Sequence, residues 1–305
     1  MLQACDVGHR VVVRRRLDDG RATDVLGELI SFDQATLVVR TEAGEEHRIP
    51  LAQVEAGKRI GPRPTRYSEI AALEHIADRA WPAPVHEALG GWILRAADGW
   101  TNRANSALPL GDAGRPLPDA IEACHAWYRG RGLLPKITVP LPLRRDVARE
   151  LTGWTAQPLV LVQVAALDPA EAPAVPVRLE EHPTPDFLAI VRARKESLPD
   201  AALSVLTAVP AVRFAEVRDD DGSLLAITRG AVMEDWLHIG TVEVLPAARR
   251  RGLAVAAYQG LAQWATSLGA RRAFLQVEEH NEAAVRLYAR LGFSTHHSYV
   301  TYNRP

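Results

Sequence analysis

The stretch Leu245-Pro246-Ala247-Ala248-Arg249-Arg250-Arg251-Gly252-Leu253-Ala254 joins a β-type run to an amphipathic helix, and its residue types suit holding an anion. The first N–H groups of a helix have no intrahelical partner and carry partial positive charge, so a turn at that point can wrap a phosphate or pyrophosphate. Gly252 lets such a group approach the backbone, small Ala254 keeps the helix start uncrowded, and Arg249, Arg250 and Arg251 add charge. The spacing alone also fits an arginine-rich turn kept for solubility. Three side chains nearby in the pattern could handle protons or hydrogen bonds: His238 on the strand before the turn, Asn281 at the start of a later helix, and Tyr288 within that helix. By residue type alone they are equally a histidine near a strand end, a helix N-cap and a core tyrosine whose hydroxyl needs a partner.

The pattern from residue 177 onward supplies a scaffold for these groups. β-type runs at 177–179, 213–217, 224–232 and 237–244 are interrupted by a helix over 185–194 and by turns at Asp220-Asp221-Gly222 and Glu234-Asp235. Leu253, Ala257, Leu261, Trp264 and Leu268 form one apolar helical stripe, which Gly269 ends. A β-type run at 273–277 follows, then a helix opened by Asn281 and stopped by Gly292. Such alternation predicts an α/β layer architecture. On strict strand alternation His238 shares a face with Gly240, Val242 and Val244, and Glu243 lies on the other.

Residues 65–165 run helix, strands, helix, strand, helix, strand, and the proline- and alanine-rich segment Asp168 to Pro176 reads as a linker. In the first sixty residues, short β-type runs at 10–16, 26–32, 36–41 and 46–49 alternate with turns, which predicts a small all-β barrel. Lys58 to Pro64 reads as a second linker. The expected domains are therefore 1–60, 65–166 and 176–305. At about 150 residues per domain, a chain of 305 residues accommodates two domains or three small ones.

Composition removes several function classes. Thirty-six Lys plus Arg against 37 Asp plus Glu give a net charge of -1, and the first 64 residues balance as well, which disfavours a nucleic-acid surface. Cys5 and Cys124 are too few and too far apart for a disulfide framework or a zinc site, so no metal is expected. No uninterrupted apolar run is long enough for a membrane span, and no leader pattern opens the chain, so a cytoplasmic protein without a membrane partner is expected.

Taken together, Val242 to Ala254, Phe274-Leu275-Gln276-Val277, Asn281 and Leu287-Tyr288-Ala289-Arg290-Leu291-Gly292-Phe293 resemble the GNAT superfamily of acyl-CoA-dependent N-acyltransferases. The resemblance covers roughly residues 176–305, and Ala254 stands where many members have a second glycine. It implies an α+β layered GNAT fold with a mixed central sheet and acetyl-CoA as cofactor. In it, the N–H groups of Arg250 to Ala254, Leu253 included, would cradle the CoA pyrophosphate, and the Arg249, Arg250 and Arg251 side chains would add charge. The main chain near Val242 and Val244 would pair with the pantetheine arm, and Asn281 would bond the pantetheine or thioester region.

The resemblance casts Tyr288 as the general acid for the departing thiolate. His238, eleven residues before Arg249, stands where some members carry a catalytic Glu or His base; Glu243 is the next candidate, and water a third. The acceptor would be a primary amine of a small molecule, or of a protein N-terminus or lysine, attacking directly; a monomer or homodimer is expected. Residues 65–166 echo the same element order but hold no RxxGxG or RxxGxA turn, so they read as a degenerate GNAT-like domain that walls the amine site. The N-terminal barrel resembles SH3-like domains, and the whole layout resembles a group of actinobacterial acetyltransferases. The alternative is a CoA-sensing or protein-interaction module with vestigial catalysis, which would not need both His238 and Tyr288.

Overall fold

In the computed structural model, which describes residues 2–61, 63–167, 172–195 and 197–304, the valine-rich alternation of the first sixty residues folds as an antiparallel sheet. Its strands are β1 (Arg10–Arg16), β2 (Ala22–Phe32), β3 (Thr36–Arg40), β4 (Glu46–Pro50) and β5 (Val54–Arg59), in the order β4-β3-β2-β1-β5. Val11, Val13, Leu29, Val39 and Ile49 share one buried core. Two details of the expected small β domain and its linker are revised. No β4–β5 pairing closes the sheet among the described residues, and Lys58 and Arg59, expected in a linker, belong to β5, which adds to the free edge of β1. Strand spacing reports how many runs there are, whereas closure depends on pairing between the first and last of them.

The β2–β3 pair is tight at Gly27, where an added Cβ would lie 2.0 Å from the Arg40 carbonyl oxygen. Gly27→Ala is therefore expected to destabilise this unit by about 1–3 kcal/mol through overpacking, read as a lower denaturation midpoint. Gly61→Ala, where nothing lies within 4 Å, should leave the midpoint unchanged.

The chain divides into two compact units, Met1–Pro64 and Thr65–Pro305. In the second, α1 (Tyr67–Ala80) precedes β6 (Val85–Leu89), β7 (Trp92–Ala96) and β8 (Leu108–Pro109), which form a small antiparallel sheet. Next come α2 (Leu117–Arg129), β9 (Lys136–Leu141), α3 (Arg145–Glu150), β10 (Thr155–Ala156) and β11 (Val160–Ala166). After residues 168–171 of the expected linker, which lie outside the described residues, follow β12 (Arg178–Glu180), α4 (Pro185–Lys195), α5 (Asp200–Thr207), β13 (Val212–Arg218) and β14 (Leu224–Met233). The last elements are β15 (Trp236–Val244), α6 (Leu253–Ser267), β16 (Arg272–Glu278), α7 (Glu282–Arg290) and β17 (Ser294–Asn303).

Nine of these strands make one mixed sheet in the order β10-β17-β11-β16-β15-β14-β13-β12, with β9 also on β17. Among the described strands β15 and β16 are the one parallel pair. Strand β11 lies between β16 and β17, pairing with both, so residues 65–166 and 176–305 share a sheet and the expected boundary between them does not divide the unit. The physical reason is in the core: Val162 of β11 packs with Phe274, Trp236 and Tyr299 beneath Leu73 and Ile76 of α1. On the opposite face Ala257, Leu261 and Ala265 of α6 cover Leu237, Ile239 and Leu275. Leu268, expected in the α6 stripe, is the helix C-cap and is exposed.

Candidate active site

Strands β15 and β16 pair only from Trp236 to Ile239, opposite Arg272 to Leu275, although both continue well beyond that point. The separation coincides with a bulge. Against β14, Ile227 faces Glu243 while Arg229 faces Gly240, so β15 takes one residue more than its partner, and Thr241 adopts a left-handed φ of 53°. A bulge twists its strand and re-aims the side chains beyond it. Between the parted strands lies a cleft of about 1110 Å³.

The bulge overturns the expected strand faces. Val242 and Val244 pack against the same cluster as Leu237 and Ile239, on the α6 side. Glu243 instead turns toward α4, where it pairs with Arg194 at 3.0 Å. Strict alternation would hold only for a regular strand, and the extra residue reverses it.

At one end of the cleft the chain leaves β15 through Pro246–Ala248, passes Arg250 with φ 63°, and enters α6 at Gly252, whose φ is 78°. No Cβ clash keeps glycine there, since nothing lies within 4 Å of the added atom; the left-handed backbone does. The N–H groups from Arg250 to Val255 donate to no protein atom among the described residues, and the first α6 bond is Ala256 N–H to the Gly252 carbonyl. Six consecutive unpartnered donors at a helix start, opening into a cleft, fit a pyrophosphate. Arg249 and Arg250 line the same end; Arg251 is exposed and does not line the cleft, and the Leu253 side chain is buried in the core, so of these two only the backbone N–H groups belong to the run.

Along the cleft, Asn281 caps α7, its Oδ1 accepting from Ala284 N–H at 3.2 Å, and it also borders the cavity. Tyr288 of α7 is 8% exposed and lines the cleft. Its hydroxyl has no hydrogen-bond partner among the described residues, and burial, reinforced by the Glu243 charge, pushes its pKa up to about 12. Glu243 lines the cleft as well.

His238 does not line it. The ring is fully buried, stacked on Phe274 at 4.8 Å and edge-on to Trp81 at 6.0 Å, with Nε2 3.1 Å from Gln276 Oε1 and 3.3 Å from Arg103 Nη1. Burial and the charges of Arg103 and Arg229 hold its pKa well below the ordinary 6.5. The expectation of an accessible histidine base is corrected accordingly: Trp81 and Arg103 pack against the ring, which does not line the cleft. One consequence is a pH-dependent stability. The unfolded chain takes up this proton below its ordinary pKa of 6.5 and the native state does not, so stability is full above that pH and declines as the pH falls below it. His238→Gln is expected to flatten the decline in melting temperature between about pH 7 and 5.

The other end of the cleft is lined by Trp81, Trp100 and Arg103, which the sequence patterns did not single out. Trp81 directly follows α1 and Trp100 to Arg103 lie in a loop, so no strand or helix period marks them. Among the described residues no group of three or more His, Cys, Asp or Glu could hold a metal, and no helix is long and apolar enough to cross a membrane.

A family model described as "Probable histone acetyltransferase Rv0428c C-terminal" matches residues 67–302. The chain is 31% identical over 306 residues to the Probable histone acetyltransferase Rv0428c of Mycobacterium tuberculosis, across 95% of this chain and 93% of that protein. The chain belongs to the GNAT acetyltransferases. The first of these matches runs across the boundary expected between residues 166 and 176, and the shared sheet does the same. The Uncharacterized N-acetyltransferase YobR of Bacillus subtilis is 27% identical over 237 residues, 74% of this chain and 95% of that one. Among solved structures, a GCN5-related N-acetyltransferase from Kribbella flavida superposes with a TM-score of 0.59 at 16% identity, over 77% of this chain and 95% of that chain. A GCN5-related N-acetyltransferase from Sphaerobacter thermophilus does so with 0.50 at 18% identity, over 90% and 82%. At such identity these likenesses concern the GNAT fold alone. A second family model, "Rv0428c N-terminal Sm-like domain", matches residues 5–58, so the small β unit is Sm-like where an SH3-like one was expected.

Proposed function

We propose that this GNAT enzyme transfers an acetyl group from acetyl-CoA to a primary amine, with the unpartnered N–H run of Arg250 to Val255 as the pyrophosphate cradle. The observation that carries the reading is that this run opens into the same cleft as Tyr288 and Glu243. Acetyl-CoA would supply an acetyl thioester open to direct attack by the amine. Where β15 has parted from β16, its main chain at Val242 and Val244 has an edge available to pair with the pantetheine arm, and Asn281 adds a polar side chain beside it. Tyr288, kept protonated by burial, holds a proton at Oη for the leaving sulfur. Glu243 replaces His238 as the group placed to take the proton that the ammonium form of the acceptor must lose, directly or through water. A CoA-sensing module has no use for this pair, so the vestigial reading is not favoured.

Residues 65–166 serve in this proposal as a degenerate GNAT-like half without a phosphate turn, walling the amine end through Trp81, Trp100 and Arg103. Calorimetry should therefore give one equivalent of acetyl-CoA per chain, and two equivalents would overturn the assignment. The acceptor is proposed to be the amine of a small molecule, a protein N-terminus or a lysine; the M. tuberculosis relative is named for histones. We place the enzyme in the cytoplasm, as a monomer or homodimer.

A further inference from the structure

Two guanidinium groups sit beside the Trp81 ring at the acceptor end, with their Cζ atoms 4.9 Å (Arg103) and 5.1 Å (Arg229) from its centroid. Neither has a carboxylate partner among the described residues. Arg229, on β14, is fully buried; its Nε donates to the Leu206 carbonyl at 2.7 Å, and both Nη atoms are without partners. Burial, with Arg103 beside it, pulls its pKa down to about 9. A buried cation left unpaired is expensive, so its presence calls for an explanation.

Arg103 lines the cleft itself. Its Nη1 is taken by Gln276 Oε1 and His238 Nε2, while its Nε and Nη2 donate to no protein atom among the described residues. Those two nitrogens form the edge of a guanidinium that matches a carboxylate in bidentate fashion. The acids packed nearby are otherwise engaged. Glu74 accepts from His297 at 2.7 Å, Asp78 pairs with Arg95 and His86, Glu243 pairs with Arg194 farther along the cleft, and Glu278, which also lines it, pairs with His280 at 3.2 Å. Positive charge is thus in excess where the acceptor would enter, against an apolar wall made by Trp81 and Trp100, stacked at 5.7 Å.

We propose that the acceptor is an amine that also carries a carboxylate, clasped by the Nε/Nη2 edge of Arg103, with Arg229 behind Trp81 supplying uncompensated positive potential. The proposal rests on the reading of the N–H turn as the donor end, which leaves the tryptophan-lined end for the acceptor. It distinguishes this enzyme's preference from that of a reader of lysine-rich tails, whose charge the same site repels.

The test uses the full chain saturated with CoA and titrated by calorimetry with phenylacetate, with its neutral isostere phenylacetamide, and with an oligolysine peptide. Phenylacetate should bind about tenfold or more tightly than phenylacetamide, the difference expected of a charge-assisted bidentate pair. Arg103→Gln should bring the two to near equality, and Arg103→Lys should restore part of the preference. Arg229→Met should weaken phenylacetate while leaving the melting temperature of the unliganded protein unchanged or raised, because an unpaired buried charge is replaced by an apolar chain of similar volume. Equal binding of the two probes, no detectable phenylacetate binding, a preference that survives Arg103→Gln, or tighter binding of oligolysine would each overturn the proposal. The thermal shift given by acetyl-CoA is measured on the same samples: it should persist in Arg103→Gln, and its absence from the wild-type protein would instead defeat the donor-site reading.

Discussion

Tyr288→Phe is expected to lower turnover by about 10²- to 10⁴-fold while leaving acetyl-CoA affinity nearly intact, since removing a positioned general acid typically has that effect. The side chain is 8% exposed, and its hydroxyl has no protein partner among the described residues and feels the Glu243 charge, so the substitution removes one oxygen and no packing atom. The ring's edge contact with Phe293, at a centroid distance of 5.7 Å, is kept by phenylalanine, which separates chemistry from stability. With its pKa near 12, Tyr288 stays protonated through pH 10, and turnover should show no alkaline loss from its ionisation below that point. Glu243→Gln should reduce turnover as well, and His238→Gln should change it far less than either. Full turnover in Tyr288→Phe, measured by single-turnover kinetics in which chemistry limits the rate, would make the tyrosine a packing residue.

Gly252→Val should abolish the rise in melting temperature expected of the wild-type protein with acetyl-CoA, since a ligand that binds the folded state stabilises it. The native φ of 78° lies where a β-branched residue is strained, so the turn must reshape or bear about 1–2 kcal/mol of strain. Because nothing lies within 4 Å of the added Cβ, the core beneath α6 is untouched and the variant should still fold. The loss would then come from the realigned N–H groups of Arg250 to Val255. Gly252→Ala should show an intermediate shift. An unchanged shift in the valine variant would place the cofactor elsewhere on the molecule.

These two predictions rest on residues legible in the chain itself. The turn Arg249 to Ala254, the helix it opens, and Asn281 as the cap of α7 are local devices, since the groups that satisfy or leave open each hydrogen bond lie within one helical turn. The mixed α/β architecture was legible for the same reason, because strand and helix periods are written in consecutive residues. Most boundaries shifted by a residue or two, the start of β2 by four, and α5 and β17 went unnoticed.

What only the tertiary structure decided involves pairing across distance. A single extra residue at Thr241 reversed the faces of Val242, Glu243 and Val244, and no pattern within β15 signals a bulge whose cause is its register against β14. His238 has the residue type of a base, yet Trp81 and Arg103, well over a hundred residues earlier in the chain, bury it and hold it neutral. Residues 65–166 read as a domain of their own until β11 is seen between β16 and β17, an insertion driven by apolar surface on two segments that neither could cover alone. The sequence by itself determined the chemistry offered at the helix start, where backbone geometry is local. The tryptophan-lined end of the cleft was decided by long-range packing, which gathers Trp81, the loop residues Trp100 and Arg103, and Arg229 from three places in the chain whose order carries no period.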